Sequence, residues 1–176
     1  MLISIITDSK SFLPAIDIFS NIYLSLDDNN SINLIERKIS SYILSTTIIK
    51  HHKNGGQIIL VSNENINKKE YYNFLKLSFA AHKLKISINS ISNNLMVKML
   101  SYNTKSKNLP LKSFNVLTQL LNILIQKEND FPEYYPSKCI CHNKNILYGL
   151  VCPVCLTIYC QFVPICKKCK IKIKIK

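Results

Sequence analysis

Arginine is nearly missing from this chain: Arg37 is the only one, so a net charge of +13 is carried by lysine. Base-specific DNA readout leans on the planar, bidentate guanidinium fork, which one arginine cannot supply across a site. The charge favours an acidic partner or nucleic acid, and it is also what a lysine-rich composition places on solvated faces. Glycine is almost as scarce, at three residues in 176, which leaves little room for a Gly-rich loop that cradles phosphate. Carboxylates number only ten, and Asp27–Asp28 and Glu128, Asp130 and Glu133 fall in loop-like stretches where such groups are ordinarily solvated. No Gly-x-Ser-x-Gly, Walker loop or His-Glu-x-x-His occurs. His51 and His52 stand beside Lys50 and Lys53, whose charge disfavours imidazolium, so no base–nucleophile pair is expected there. The expectation is a chain that is not an enzyme. Apolar runs such as Ile39 to Ile49 fall short of the ~20 residues of a membrane span, and a soluble protein is expected.

Cysteine is absent from the first 138 residues and then appears seven times between Cys139 and Cys169. Cys152-Pro153-Val154-Cys155, ten residues, and Cys166-Lys167-Lys168-Cys169 make two knuckles, each able to present two thiolates to one tetrahedral Zn²⁺. A disulfide framework would instead spread cysteines through a secreted chain behind a leader, whereas Met1-Leu2-Ile3-Ser4 runs straight into a strand pattern. Four thiolates fill the shell, so such an ion is structural and holds no activated water. Cys139, Cys141, His142 and Cys160 are left over. They either form a second Zn²⁺ site interleaved with the first, as in RING-like modules, or Cys139 and Cys160 are small buried hydrophobes and His142 caps a turn.

The first 130 residues alternate strand and helix patterns, the signature of an α/β fold with a mostly parallel sheet and helices on both faces. Leu2 to Thr7 is a near-continuous apolar strand ending at Asp8-Ser9-Lys10-Ser11, a polar turn at the carboxyl end of a strand, where open α/β sheets place their sites. Ile32, Ile35, Ile39, Tyr42, Ile43 and Ile49 recur at helical spacing over 32–52, and Asn54-Gly55-Gly56 stops that element. Gln57 to Ser62 reads as a buried strand, Lys68 to Lys83 as an amphipathic helix with Tyr72, Leu75, Phe79 and His82 on one face and Phe74, Leu77 and Ala81 beside them. His82 is read as a helix-end histidine rather than a ligand. Ile86, Ile88 and Ile91 mark a third strand, Asn94 caps a short helix through Tyr102, and Leu109-Pro110-Leu111 is a brief fourth strand. Ser113 caps a last helix whose Phe114, Leu117, Leu120, Leu121, Leu124 and Ile125 form an apolar stripe. The division expected is a domain over 1–130, a linker over 131–137 within a proline-containing acidic run, and a zinc module with a basic tail over 138–176.

Cys139-Ile140-Cys141-His142, Gly149 to Cys160 and Pro164 to Cys169 together resemble the zinc finger of the small core subunit of general transcription factor TFIIH. Ile58 to Val61, Tyr72-Asn73-Phe74, Phe79 to Lys83 and Ile86-Ser87-Ile88 are similar to that family's central strand, helix and next strand, in order. The resemblance implies a von Willebrand A-like (Rossmann-type) domain followed by a C-terminal four-cysteine finger holding zinc through Cys152, Cys155, Cys166 and Cys169. Metal-binding von Willebrand A domains use Asp-x-Ser-x-Ser after the first strand; here Lys10 follows Asp8 where the first serine should stand, and an ammonium there repels Mg²⁺. Asp8 is therefore expected to be structural, with no Mg²⁺. The stretch between Asp8 and Gln57 is short, which predicts a reduced sheet of four or five strands without the usual edge hairpin.

What the resemblance implies for function is a non-catalytic TFIIH core subunit acting in RNA polymerase II transcription initiation and nucleotide excision repair, in a nucleus. Its expected partners are other core subunits, above all a second von Willebrand A subunit with a zinc-binding C-terminus, and DNA only through the complex. Contact residues expected on its surface are Tyr71, Phe74 and Phe79 in the domain and Leu156, Tyr159, Phe162 and Val163 in the finger. Two rivals stand beside this: a nucleic-acid-binding zinc ribbon using the tail Lys167 to Lys176, with salt-sensitive affinity, and a RING-like ubiquitin-ligase module, against which the one-residue spacing of Cys139 and Cys141 argues. The Lys, Ile and Asn bias suggests a reduced, AT-rich eukaryotic genome such as a parasite's or a nucleomorph's.

Overall fold

The computed structural model describes residues 1–64, 66, 68–112, 115–125, 137–146 and 148–173. The chain falls into two compact units, Met1–Pro132 and Glu133–Lys176. Residues 131–136 of the expected linker, the Ser113 cap, Phe114 and the last three tail residues lie outside the described residues, while Ser137, expected to end the linker, already belongs to a strand of the second unit.

Five parallel strands, β1 (Leu2–Thr7), β2 (Ser31–Glu36), β3 (Gln57–Ser62), β4 (Ser87–Ser92) and β5 (Asn108–Leu109), line up in the order β2-β1-β3-β4-β5. Parallel neighbours need crossovers, and helices α1 (Leu13–Leu26), α2 (Ser41–Asn54), α3 (Tyr71–Lys83) and α4 (Leu95–Asn103) supply them, with α5 (Val116–Ile125) following β5. The central strands are buried along nearly their whole length because both faces are covered: every residue of β3 is buried, as are five of six in β1 and in β4, including the polar Asn89, Ser90 and Ser92 of β4. On one face Ile3, Ile5, Ile59, Val61 and Ile91 pack with Ile16, Phe19 and Tyr23 of α1 and Val116, Leu120 and Ile123 of α5. Helices α2, α3 and α4 pack in series, with α2 reaching β1 and α3 and α4 reaching β4. No described helix is long and apolar enough to cross a membrane.

Residues 31–52 depart from the helix expected over 32–52. Ile32 and Ile35 belong to edge strand β2, where Ser31↔Leu2 through Glu36↔Thr7 set a parallel register, and α2 begins only at Ser41, capped by the Ser40 hydroxyl. Residues three apart share a helix face but fall on opposite faces of a strand; Ile32 and Ile35 are each half-buried, one on either side of β2, and pairing with β1 decides between the two. The sheet is wholly parallel among the described residues, without an edge hairpin. Helix α3 is also rotated from its expected phase: Phe74, Leu75, Ser78 and Ala81 are buried, while Phe79 is 47 % exposed and His82 faces out. In α5, Leu120 is core, whereas Ile125 at the helix end is 73 % exposed. Asn94 caps α4 as read, accepting from the Met96 N–H at 2.8 Å, and β5 ends before Pro110, which has no N–H for a ladder.

His51 joins sheet to helix. It is fully buried, with Nδ1 2.9 Å from the Gly55 carbonyl and Nε2 2.8 Å from Ser4 Oγ, which also accepts from Asn33 Nδ2. A carbonyl can only accept, so Nδ1 carries the proton and Nε2 accepts from the serine. Burial, more than the neighbouring Lys50, lowers the His51 pKa, partly offset by the Gly55 hydrogen bond. The folded state thus binds fewer protons at this site than the unfolded chain. The stability it contributes is complete above the ordinary histidine value near ~6.5 and is lost as pH falls below it. Urea midpoints of the wild type and of His51→Asn, compared between pH 8 and pH 5.5, should show a steeper acid loss in the wild type.

Candidate metal centre

The strand order reverses between β1 and β3, which puts a crevice at their carboxyl ends, and Asp8 stands there. Its carboxylate is already engaged: Oδ2 accepts from the buried Ser62 hydroxyl and from the Glu64 N–H at 3.2 Å, and Oδ1 from the Asn63 N–H at 3.3 Å. Asp8 clasps the end of β1 to the loop after β3. Lys10 does not lie over it; its side chain is 87 % exposed and its ammonium reaches Glu36 at 4.0 Å. Ser9 and Ser11 hydroxyls bond each other at 2.8 Å. Asp8→Ala removes both acceptor oxygens and the three hydrogen bonds they take, and strands a buried hydroxyl, an expected loss of about 2–3 kcal/mol in urea unfolding. Asp8→Asn keeps one carbonyl oxygen and should lose about half as much.

The second unit is built from turns rather than from a large core. Two hairpins, β6 (Ser137–Lys138) with β7 (Asn145–Ile146) and β8 (Leu150–Val151) with β9 (Ile158–Tyr159), and an isolated bridge between Ile165 and Lys172 each flank one tight turn. The three turns share one backbone pattern. Cys152 donates its N–H to the Thr157 carbonyl (2.9 Å), accepts from the Leu156 N–H (2.9 Å), and Leu156 is left-handed at φ 57°. Cys166, Lys170 (φ 61°) and Ile171 repeat it, and so do Cys139, Asn143 (φ 55°) and Lys144. In each, the first cysteine and the side chain three residues later project from the same loop.

The first two turns converge. Sγ of Cys152 lies 3.6 Å from that of Cys169, and Sγ of Cys155 lies 3.5 Å from that of Cys166. Sulfurs on one tetrahedral Zn²⁺, with Zn–S about 2.3 Å, stand about 3.8 Å apart, so the four-cysteine set of Cys152, Cys155, Cys166 and Cys169 fits such an ion. Cys152 and Cys166 are fully buried. Around them, the Tyr159 hydroxyl lies 3.1 Å from Cys166 Sγ and accepts the Lys167 N–H, and Thr157 Oγ1 lies 3.0 Å from Cys155 Sγ. Burial opposes charge on Cys166, yet the Cys169 N–H and the Tyr159 hydroxyl outweigh it and bring the thiol down to about 5. At Cys169 the Ile171 N–H favours the anion, but burial and the thiols of Cys166, Cys152 and Cys155 push it up to about 12. Thiolates this close repel one another, and a cation among them would offset that repulsion. Burial, then Cys166, raises the Tyr159 hydroxyl to about 12, so it stays a donor.

The leftover residues also gather in part. Cys139, His142 and Cys160 bring their ligand atoms together, while Cys141 is not one of that group and packs half-buried beside the first cluster. Of the side chains expected on the contact surface, Phe74 and Tyr159 are not available: both are buried, Phe74 against the sheet by the phase of α3 and Tyr159 by its bond to Cys166. Phe79 and Phe162 are exposed, and Tyr71, Leu156 and Val163 half-buried. Sequence reasoning missed Tyr159 and Thr157 as supports of the sulfurs; the spacing of both from Cys155 was visible, their inward orientation was not.

A family profile described as transcription factor Tfb4 matches residues 39–170, from the residue before the α2 cap through the last knuckle. General transcription factor IIH subunit 3 of Dictyostelium discoideum is 26% identical over 121 residues, covering 61% of this chain and 32% of that protein. General transcription and DNA repair factor IIH subunit TFB4 of Arabidopsis thaliana is 25% identical over 115 residues, covering 57% of this chain and 38% of its own length. This chain thus spans about a third of the length of these relatives. Among solved structures, the crystal structure of the TFIIH p34 N-terminal domain superimposes with a TM-score of 0.57 at 12% identity, over 70% of this chain and 96% of that one. That likeness carries the fold, a reduced von Willebrand A-like sheet, and the profile, running unbroken across sheet and cysteine turns, carries the lineage: the chain belongs to the Tfb4 transcription factor family.

Proposed function

We propose that this chain is a non-catalytic structural subunit of a TFIIH core, acting in a nucleus in RNA polymerase II transcription initiation and nucleotide excision repair through contacts with other subunits. The observation that carries this reading is the single family match over 39–170, which joins the sheet and the cysteine module in one lineage. The architecture agrees with a scaffold. At the switch point, where this fold class ordinarily holds a ligand, both Asp8 oxygens are already taken by Ser62 and the loop after β3, and a four-sulfur shell leaves a zinc ion no open position for chemistry. In this reading residues 1–130 are the von Willebrand A-like domain, 131–137 the linker and 138–176 the zinc module, with structural Zn²⁺ on Cys152, Cys155, Cys166 and Cys169.

Partners are the other core subunits, especially a second von Willebrand A subunit with a zinc-binding C-terminus. Phe79 with Tyr71 on α3, and Phe162 with Leu156 on the finger, are the proposed contacts; Phe79 and Phe162 are 47 % and 45 % exposed, a cost that a partner surface removes. The tagged chain, recovered from native extract in moderate salt without chelator, should bring down helicase subunits and the second von Willebrand A subunit. Phe162→Glu should weaken that recovery without loss of bound zinc. Nucleic acid or a ubiquitin-conjugating enzyme recovered alone would overturn the assignment and favour the zinc ribbon or the RING-like module.

A further inference from the structure

We propose that Cys139, His142 and Cys160 hold a second zinc ion. The inference rests on the reading of the cysteine module as zinc-binding and adds an ion to it. Its foundation is the third turn. Cys139 and His142 are related as Cys152 is to Cys155 and Cys166 to Cys169, three residues apart on a loop closed by the same pair of backbone hydrogen bonds and the same left-handed residue. A backbone that sets two sulfurs toward one point in the first two cases sets a sulfur and an imidazole toward one point in the third.

The side chains meet as a metal would require. His142 Nδ1 lies 3.3 Å from Cys160 Sγ and 3.9 Å from Cys139 Sγ. Ligand atoms on one tetrahedral zinc, with Zn–S about 2.3 Å and Zn–N about 2.0–2.1 Å, stand about 3.6 Å apart, between the two observed values. The Ile140 N–H donates to the Ile158 carbonyl at 2.9 Å, which moors the third turn to β9 two residues before Cys160. That single bond explains why residues 18 apart in sequence face each other. A role as a small buried hydrophobe does not suit Cys160, which is exposed, although Cys139 is buried. Thiolate and imidazole donors without a carboxylate select a borderline-soft ion such as Zn²⁺ over Mg²⁺ or Ca²⁺. The ligand order is interleaved, with the second set drawn from before and between the two Cys-x-x-Cys knuckles.

The test counts ions on the full chain after equilibration with Zn²⁺ and desalting, by elemental analysis and native mass spectrometry. The wild type should carry two zinc ions, and Cys160→Ser and His142→Ala one each. Cobalt titration of the wild type, which needs no variant to fold, should show two spectrally distinct occupancies, one all-sulfur and one mixed sulfur–nitrogen. One zinc in the wild type, unchanged by Cys160→Ser and with an all-sulfur cobalt spectrum only, overturns the second site and leaves the first standing. No retained metal at all overturns both.

Discussion

Cys166→Ser leaves the zinc module unfolded while the sheet domain keeps its own transition. Cys166 is the most heavily supported of the seven cysteines: fully buried, beside the Tyr159 hydroxyl at 3.1 Å, receiving the Cys169 N–H, and paired with Cys155 across the site. A serine oxygen is a poor zinc ligand and too short to replace it, so the first ion goes, and with it the free energy that substitutes for a core. The buried apolar cluster of this unit is Tyr159 and the cysteines themselves. A structural zinc contributes on the order of 10 kcal/mol in such modules, more than the whole stability of many domains. Limited proteolysis should cut the variant after residue 137 under conditions that leave the wild type whole, and a chelator added to the wild type should reproduce the pattern. Equal resistance of the two proteins would mean that packing, not metal, holds the module.

Gly56→Ala should be the most damaging small substitution in the sheet domain. A Cβ on Gly56 would stand 2.0 Å from the Leu2 carbonyl oxygen and 3.1 Å from His51 Nδ1, and φ is +109°, a region that side-chain-bearing residues rarely occupy. Relief requires moving the start of β1, but Ile3↔Gln57 opens the parallel register there and His51 is fixed from the other side by Ser4. The expected loss is above about 4 kcal/mol, comparable with the total stability of many domains. Gly55→Ala is the comparison one residue away: a Cβ there meets nothing within 4 Å, so the loss is backbone strain alone, about 1–3 kcal/mol for φ +66° with ψ −172°, a conformation that glycine adopts without a steric cost. Urea unfolding of the pair would refute the argument if the two losses were alike.

Much of this was legible because it is local. β3 follows from an apolar run, β4 from Ile86, Ile88 and Ile91, and the start of α4 from the capping residue Asn94, signals whose physics does not depend on distant neighbours. The Cys-x-x-Cys pairs are local too, since a metal knuckle is closed by its own backbone. What escaped was set by partners. Ile32 and Ile35 are strand residues only because Leu2 to Thr7 lies beside them. Phe74 and Phe79 differ by half a turn of helix in exposure, and which of them faces the sheet depends on how α3 is rolled against it. Tyr159 looked like a surface aromatic because nothing in its neighbours in sequence announces a hydrogen bond to a sulfur seven residues on. Asp8 was placed at the right corner, but what occupies its oxygens is the loop after β3, more than fifty residues away.

The scarcity of glycine returns in the knuckles. Each ends on a left-handed residue, a place where glycine has no steric cost, and this chain puts asparagine, leucine and lysine there. Leucine and lysine each carry a penalty of roughly 1 kcal/mol in that conformation, and asparagine less. Without an ion nothing opposes that strain, so the apo module is pushed further toward the unfolded state than a glycine-bearing counterpart, and folding follows metal supply more steeply. The module is in that sense a loaded spring held shut by zinc. Leu156→Gly and Lys170→Gly would slacken it, so that the module keeps its shape at lower free zinc.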